Sequence, residues 1–423
     1  MSIKTWYIIL TVLKYFFNFH YGLDMIRKPL LITATALLVF FSLKGFTESA
    51  QDFLKKRAHG SALQATTPKA PILRTKAYIL IDVKSGKIIA EQNSDKKLPP
   101  ASLTKMMSLY VISSALKTGQ IHLNDKVNIS THAWKTGGSR MFIKEGAKVP
   151  VKELLKGIIV DSGNDACVAM AEHLGGTEKT FAELMNQQAV HLGMANSHFT
   201  DSTGLPNKKL YTTAKDLAIL GRALVQDFPE YYEWYGQKWF TYNGIRQPNR
   251  NRLLWRDSHV DGIKTGHTNE AGYCLVSSAK QDNMRLLAVV LGSPNESARA
   301  DDSQKLLNYG FRFFETHELY KKGQDITELS IYKGRENSVP VGVLDNQYVT
   351  IPTGQYENLT ISTDVPQSIN APIQKGDKIG YLIVKFKEDI ISKQPVYAMK
   401  SIEKGGLFKR GTDSIKLAIK SIF

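Results

Sequence analysis

A chain of 423 residues is long for one domain, and a hydrophobic content of 43% is enough for a substantial core, so two or more domains are expected. Lys and Arg number 55 against 39 Asp and Glu, a formal charge of +16 that suits nucleic acid, an anionic membrane surface or an acidic polymer equally and chooses none of them. Only two cysteines, Cys167 and Cys274, are present, which excludes a disulfide scaffold; Cys167, inside "ACVAMA", reads as a buried thiol.

The first fifty residues differ in kind from the rest. "MIRKPLLITATALLVFFSLKGF" opens at Met25 with two cations, continues in an apolar run from Leu30 to Leu43, and is followed by small residues near Ala50, the layout of a secretory signal peptide. An uncleaved membrane anchor is the competing reading. The segment holds five Lys or Arg and two Asp or Glu, so the remainder stays basic. Residues 1–50 are therefore expected to be a signal or targeting segment and 51–70 a linker.

"KAYILIDVKSGKIIAEQN" gives two β-rich runs around Lys84-Ser85-Gly86-Lys87, a hairpin pattern. From Ser102 onward Leu103, Met106, Met107, Tyr110, Val111, Ala115 and Leu116 keep a helical period, with Pro99 and Pro100 before and Gly119 after, which puts Ser102 in the first turn. Further helical patterns cover 151–159, 165–174, 180–192 and 213–224. "GYCLVSSAK" and "MRLLAVVLG" then predict a second hairpin, and "ARADDSQKLLNYGFRFFE" a helix. Strands, helices, strands, helix is the order of an α+β domain whose antiparallel sheet is built from both ends of the segment, here 71–316. Short β-type runs from residue 317 to 403 predict a separate small all-β domain. In the final stretch, 404–423, Phe408, Ile415, Ile419 and Ile422 share one helical face and Lys409, Lys416 and Lys420 another, with Leu417 on the polar side. Such an amphipathic helix either lies in the headgroup plane of an anionic membrane or docks on the protein.

A serine hydroxyl becomes a nucleophile when a base takes its proton, and a lysine one helical turn away serves if burial and neighbouring cations keep it neutral. The spacing S-x-x-K alone is cheap: it occurs at Ser94, Ser102, Ser114, Ser277, Ser330 and Ser401. S-x-N occurs at Ser162, Ser293 and Ser368, and K-T-G at Lys117, Lys135 and Lys264. Context sorts them. Lys117-Thr118-Gly119 closes a helix, and Lys135-Thr136-Gly137 reads as a loop. Only Lys264-Thr265-Gly266 lies between two strand-like runs, and only Ser162-Gly163-Asn164 between two helices. One order survives: Ser102 with Lys105, then Ser162 with Asn164, then Lys264 with Thr265.

"PASLTKMMSLYV", "SGNDACVAMA" and "NRNRLLWRDSHVDGIKTGHTNEAGYCLVSSA" resemble the three signature regions of the serine-type D-alanyl-D-alanine carboxypeptidases, the low-molecular-mass penicillin-binding proteins of peptidase family S11. The resemblance implies a penicillin-binding, β-lactamase-like transpeptidase domain, then the small all-β domain and the amphipathic tail. It implies that Ser102 attacks the carbonyl between two D-alanines of a peptidoglycan stem peptide and that Lys105 takes its proton. Ser162 would relay a proton to the leaving amine, and Asn164 would hold Lys105 and the substrate amide. The backbone N–H groups of Ser102 and His267 would form an oxyanion hole. Lys264, Thr265 and Arg250 would receive the terminal carboxylate, beside Gly266, with Arg299 a looser candidate of structural character. No cofactor or metal is expected. β-Lactams would acylate Ser102, and the protein would be exported to the periplasmic side of the bacterial inner membrane, held peripherally by its last helix.

Three rival readings are kept in view. A class A β-lactamase needs a deacylating glutamate in an E-x-x-L-N stretch; "ELMN" at Glu183 lacks that spacing and falls on a solvated helical face. A non-catalytic envelope binding protein is disfavoured by the intact Ser102, Lys105 and Lys264. Nucleic-acid binding finds no motif and conflicts with export.

Overall fold

The computed structural model describes residues 67–420. The expected signal segment, most of the linker and Ile422 lie outside the described residues. From Pro68 onward the chain is one compact unit.

Strand β1 (Ala77–Asp82) turns at Lys84–Lys87 into β2 (Ile88–Gln92), the hairpin that the sequence predicts. A 3-10 turn at Ala101–Leu103 leads into α1 (Thr104–Lys117). Ser102 thus sits in the tighter turn just before the helix, one turn short of the place expected for it. After short elements, among them helices at Thr131–Lys135 and Val151–Lys156, come α2 (Asn164–Gly175), α3 (Glu178–Leu192) and α4 (Ala214–Asp227). A hairpin of β3 (Trp239–Tyr242) and β4 (Ile245–Pro248) precedes β5 (Val260–Thr268), β6 (Gly272–Gln281) and β7 (Met284–Ser293), and α5 (Glu296–Phe313) closes the first domain. Side-chain oxygens of Thr177, Thr213 and Asn295 accept backbone N–H groups in the first turns of α3, α4 and α5, which fixes where those helices begin.

The central sheet is antiparallel, in the order β2-β1-β7-β6-β5. Its inner strands β1, β6 and β7 are buried on both faces, and the period of two divides their side chains between two cores. Ile79, Ile81, Leu287, Val289 and Leu291 pack against the helical cluster, whereas Tyr78, Leu80, Leu286, Ala288 and Val290 pack with Leu306 and Leu307 of α5. Two-sided burial is why "LLAVVL" reads as one apolar run with no alternation. Helix α1 is also enclosed, with twelve of its fourteen residues buried, among them the polar Thr104, Lys105, Ser108 and Ser113.

A strand at Phe314–Tyr320, β8, begins directly after α5 and spans the boundary expected after residue 316. It pairs with Gln347–Pro352. A six-stranded sheet, mostly antiparallel, builds the remainder of this second, all-β domain around a core of Leu329, Val339, Val341, Leu382, Val384 and Val396. The two domains meet through hydroxyls: Thr316 Oγ1 donates to the buried Asp82 carboxylate at 3.0 Å, and Ser85 and Thr350 share a hydrogen bond of 2.6 Å.

The last helix, α6 (Leu407–Lys420), leaves Leu407, Phe408, Ile415 and Ile419 exposed, Phe408 by 95%. Asp413 is the residue it buries: the carboxylate accepts the Lys333 N–H at 2.7 Å and pairs with Lys409. Leu417, expected on the polar side, is half-buried one turn after Asp413, so the side read as polar is the one that meets the domain.

Candidate active site

The site is built where three segments far apart in sequence converge. Lys105, wholly buried, places Nζ 3.1 Å from Ser102 Oγ and donates to Thr203 O at 2.9 Å. Ser102 itself is half-exposed. Ala101 before it has φ +50°, a left-handed conformation uncommon for a residue with a Cβ.

Ser162 follows a π-helical turn at Gly157–Asp161 and is itself left-handed, with φ 58° and ψ 33°. Irregular turns of this kind gather at functional sites because they redirect one side chain out of a packed helix. Lys264 Nζ donates to Ser162 Oγ at 2.8 Å and to Thr265 O at 3.1 Å. Lys264-Thr265-Gly266, expected between two strand-like runs along a sheet edge, lies within β5, which is the edge strand of the sheet, opposite Val276, Leu275 and Cys274.

Gly266 has a packing reason. A Cβ there would stand 2.8 Å from Pro100 O and 3.2 Å from Leu103 N, so only glycine lets β5 lie against the turn carrying Ser102. His267 is exposed, its ring 4.0 Å from that of Tyr273. Asn164 begins α2, and its Nδ2 donates to Gly137 O at 2.6 Å. The contact with Lys105 expected from the sequence is not made: the loop at 137–138 approaches so closely, through the left-handed Gly138, that it takes the amide instead. Lys135, read as part of a loop, closes the short helix that precedes it.

Burial is the first cause of the site's electrostatics. Desolvation pushes Lys105 down to about 8, Arg250 adding to the effect while Cys167, Asp201 and Asp165 oppose it. Lys264 is pushed well below the ordinary lysine value by desolvation, then by the charges of Lys105, Arg250 and Arg299. A half-exposed hydroxyl beside a buried amine that sheds its proton near neutrality, with a second buried cation at a second hydroxyl, is equipped for nucleophilic attack with proton transfer.

Several supporting residues were not singled out in the sequence. Asp165 accepts the N–H groups of Met141, Phe142 and Ile143 and so pins the 137–143 loop beside Ser162. Asn249 and Asn251 are buried, Asn249 holding Gln237 O and Asn251 holding Gly262 O, which leaves Arg250 between them exposed and within the field of both lysines. The alternation N-R-N was the available clue. Arg299 is buried and pairs with Glu296 at 3.2 Å, its guanidinium 5.7 Å from the Tyr273 ring centre; it reaches the site through its charge on Lys264. Glu183 is exposed on α3. Cys167 and Cys274 are both free and buried.

Comparison with known proteins agrees over most of the chain. Residues 64–295 match the model of the peptidase S11 family, D-alanyl-D-alanine carboxypeptidase, and residues 314–404 match the C-terminal domain of penicillin-binding protein 5. The D-alanyl-D-alanine carboxypeptidase DacC of Escherichia coli is 43% identical over 365 residues, 84% of this chain and 91% of that one. Penicillin-binding protein 5 from Haemophilus influenzae superposes with a TM-score of 0.76 at 40% identity, covering 80% of this chain and 100% of that one. Penicillin-binding protein D2 from Listeria monocytogenes, solved in an ampicillin-bound form, does so with a TM-score of 0.53 at 30% identity, covering 56% of this chain and 98% of that one.

Proposed function

Because the chain belongs to the peptidase S11 family and is a D-alanyl-D-alanine carboxypeptidase, we propose that Ser102 is its nucleophile and Lys105 the base that activates it. Ser102 Oγ attacks the carbonyl carbon of the penultimate D-alanine of a peptidoglycan stem peptide while Lys105 takes the hydroxyl proton. The tetrahedral oxyanion is received by the backbone N–H groups of Ser102 and His267, a device that typically contributes about 3 to 4 kcal/mol. Collapse breaks the peptide bond; the proton passes through Ser162 to the leaving amine, and D-alanine departs. Water then attacks the ester, returning Ser102 and freeing the shortened peptide. Lys264, Thr265 and Arg250 receive the terminal carboxylate, with Gly266 holding the strand close and Asn164 orienting the substrate amide.

The observation that carries this reading is the 3.1 Å approach of the Ser102 hydroxyl to a fully buried amine pushed down to about 8. D-alanine released from a pentapeptide tests it: Ser102→Ala and Lys105→Ala are each expected to lose at least 10³-fold in kcat/KM. Release within tenfold of wild type by either variant contradicts it. β-Lactams acylate the same hydroxyl.

The second domain, 317–403, acts as a spacer that sets the cleft above a membrane, and α6 lies on the anionic surface, its exposed Phe408, Ile415 and Ile419 entering the headgroup region. Among the described residues no helix is long and apolar enough to cross a membrane. Residues 1–50 direct export, which places the protein on the periplasmic side of the inner membrane.

A further inference from the structure

Two successive carbonyls, Ser202 O and Thr203 O, form a floor beneath α1 and α2. Ser202 O accepts from Ser108 Oγ at 2.6 Å and from Cys167 Sγ at 3.1 Å, and Thr203 O accepts from Lys105 Nζ at 2.9 Å. Each is fixed from the other side by a carboxylate. Glu178 Oε1 accepts Ser202 N and Ser202 Oγ, at 3.1 and 2.6 Å. Asp201 Oδ1 accepts three donors, Thr203 N at 2.8 Å, Thr203 Oγ1 at 2.7 Å and Gly204 N at 2.7 Å. The turn so held cannot drift toward the nucleophile: Gly204, at φ +85°, lies so close to Ala101 O that a Cβ would stand 1.9 Å from it.

We propose that Asp201 is a positioning residue for acylation: it locks the Thr203 carbonyl in register with the Lys105 amine and brings a carboxylate charge to bear on that amine. The inference rests on Lys105 acting as the base for Ser102. The charged and titratable groups facing Lys105 are Asp201 from this turn, Asp165 and Cys167 from α2, Lys264 from β5 and Arg250 from the segment after β4. Cys167, Asp201 and Asp165 stabilise the ammonium form and Arg250 opposes it, while the Lys105 charge in turn holds Lys264 down. Asp201 does more than add charge, because the carbonyl it anchors sets the direction from which the amine meets Ser102. A simple turn-forming role would need the three hydrogen bonds and not the charge.

The test measures acylation by a chromogenic β-lactam from pH 6 to 10 in the full-length protein and in the variants Asp201→Asn and Asp201→Ala. Asparagine keeps an oxygen that accepts the three bonds and removes the charge. Its acid limb is therefore expected to move to lower pH by about one unit, the amine having lost an anionic neighbour. Alanine removes both, and acylation at the optimum pH is expected to fall at least tenfold below that of Asp201→Asn, with the same shifted limb. An Asp201→Asn profile that superimposes on wild type overturns the proposal, as does an Asp201→Ala rate equal to that of Asp201→Asn. Superimposed profiles together with a dead Lys105→Ala would leave the base assignment standing and remove Asp201 alone; unimpaired acylation by Lys105→Ala overturns both.

Discussion

Lys105 is a cation by ordinary chemistry placed where no cation is comfortable, and its usefulness follows from that conflict. Burial costs the charged form its hydration, so the proton leaves near pH 8, and an amine that is neutral in part of the population at working pH can accept the Ser102 proton. On the proposed mechanism the deprotonated form is the active one, so kcat/KM for a D-Ala-D-Ala peptide is expected to fall about tenfold per unit below an apparent value near 8, which a pH series from 6 to 10 checks. Asp161 shows the opposite conflict. Desolvation, then Asp165, raises it to about 7, and its Oδ1 is buried without a hydrogen-bond partner. The folded state then holds more protons than the unfolded one between the ordinary aspartate value and about 7, so this group withdraws stability as pH rises through that window. Asp161→Asn is expected to raise Tm by about 2 to 4 °C at pH 8 and to change it little at pH 4, read by scanning calorimetry. The order of Ser102, Lys105, Ser162 and Lys264 was legible because side-chain chemistry at fixed spacing survives in a sequence. The contribution of Thr203 was not, since a backbone carbonyl leaves no trace of its aim.

At the scale of elements, the site depends on two surfaces brought closer than side chains normally permit. Strand β5 lies against the Ala101–Leu103 turn because Gly266 presents no Cβ to Pro100 O. Gly266→Ala is expected to push the strand off by several tenths of an ångström and to slow acylation about 100-fold, with the far-ultraviolet circular dichroism unchanged; a rate within threefold of wild type contradicts the packing account. The β1–β2 and β6–β7 hairpins, α1 to α5 and the order of the two domains were readable from periodicity and turn residues. Two features were not. The 3-10 turn at Ser102 differs from an α-helical first turn only through the conformation of Ala101, which no composition rule requires of alanine. Lys264-Thr265-Gly266 was legible as a sheet-edge segment between two strand-like runs, but not as part of the strand itself, because lysine and glycine are poor strand formers and tertiary pairing with β6 overrides that preference.

Over the whole molecule, the catalytic domain and the β-domain are joined through Asp82, Ser85, Thr316 and Thr350, a short polar seam that holds the second domain at the hairpin of β1 and β2, while α6 hangs from that domain by Asp413. Removing residues 406–423 is expected to abolish co-sedimentation with anionic vesicles and to leave D-alanine release from a soluble pentapeptide within twofold of the full chain. Vesicle binding that survives the deletion would relocate the membrane contact elsewhere. The tail's apolar face was evident in the sequence, but the side by which it meets the β-domain was not, because that side is marked by Asp413, which is polar and nonetheless buried by the Lys333 N–H. The claim on which all of this turns is that one hydroxyl carries the acyl group. Peptide mapping by mass spectrometry after treatment with penicillin is the most direct measurement of it: the drug's mass is expected on the peptide containing Ser102 and on no peptide of the Ser102→Ala protein, and an adduct at another residue, or one that persists in that variant, contradicts the account.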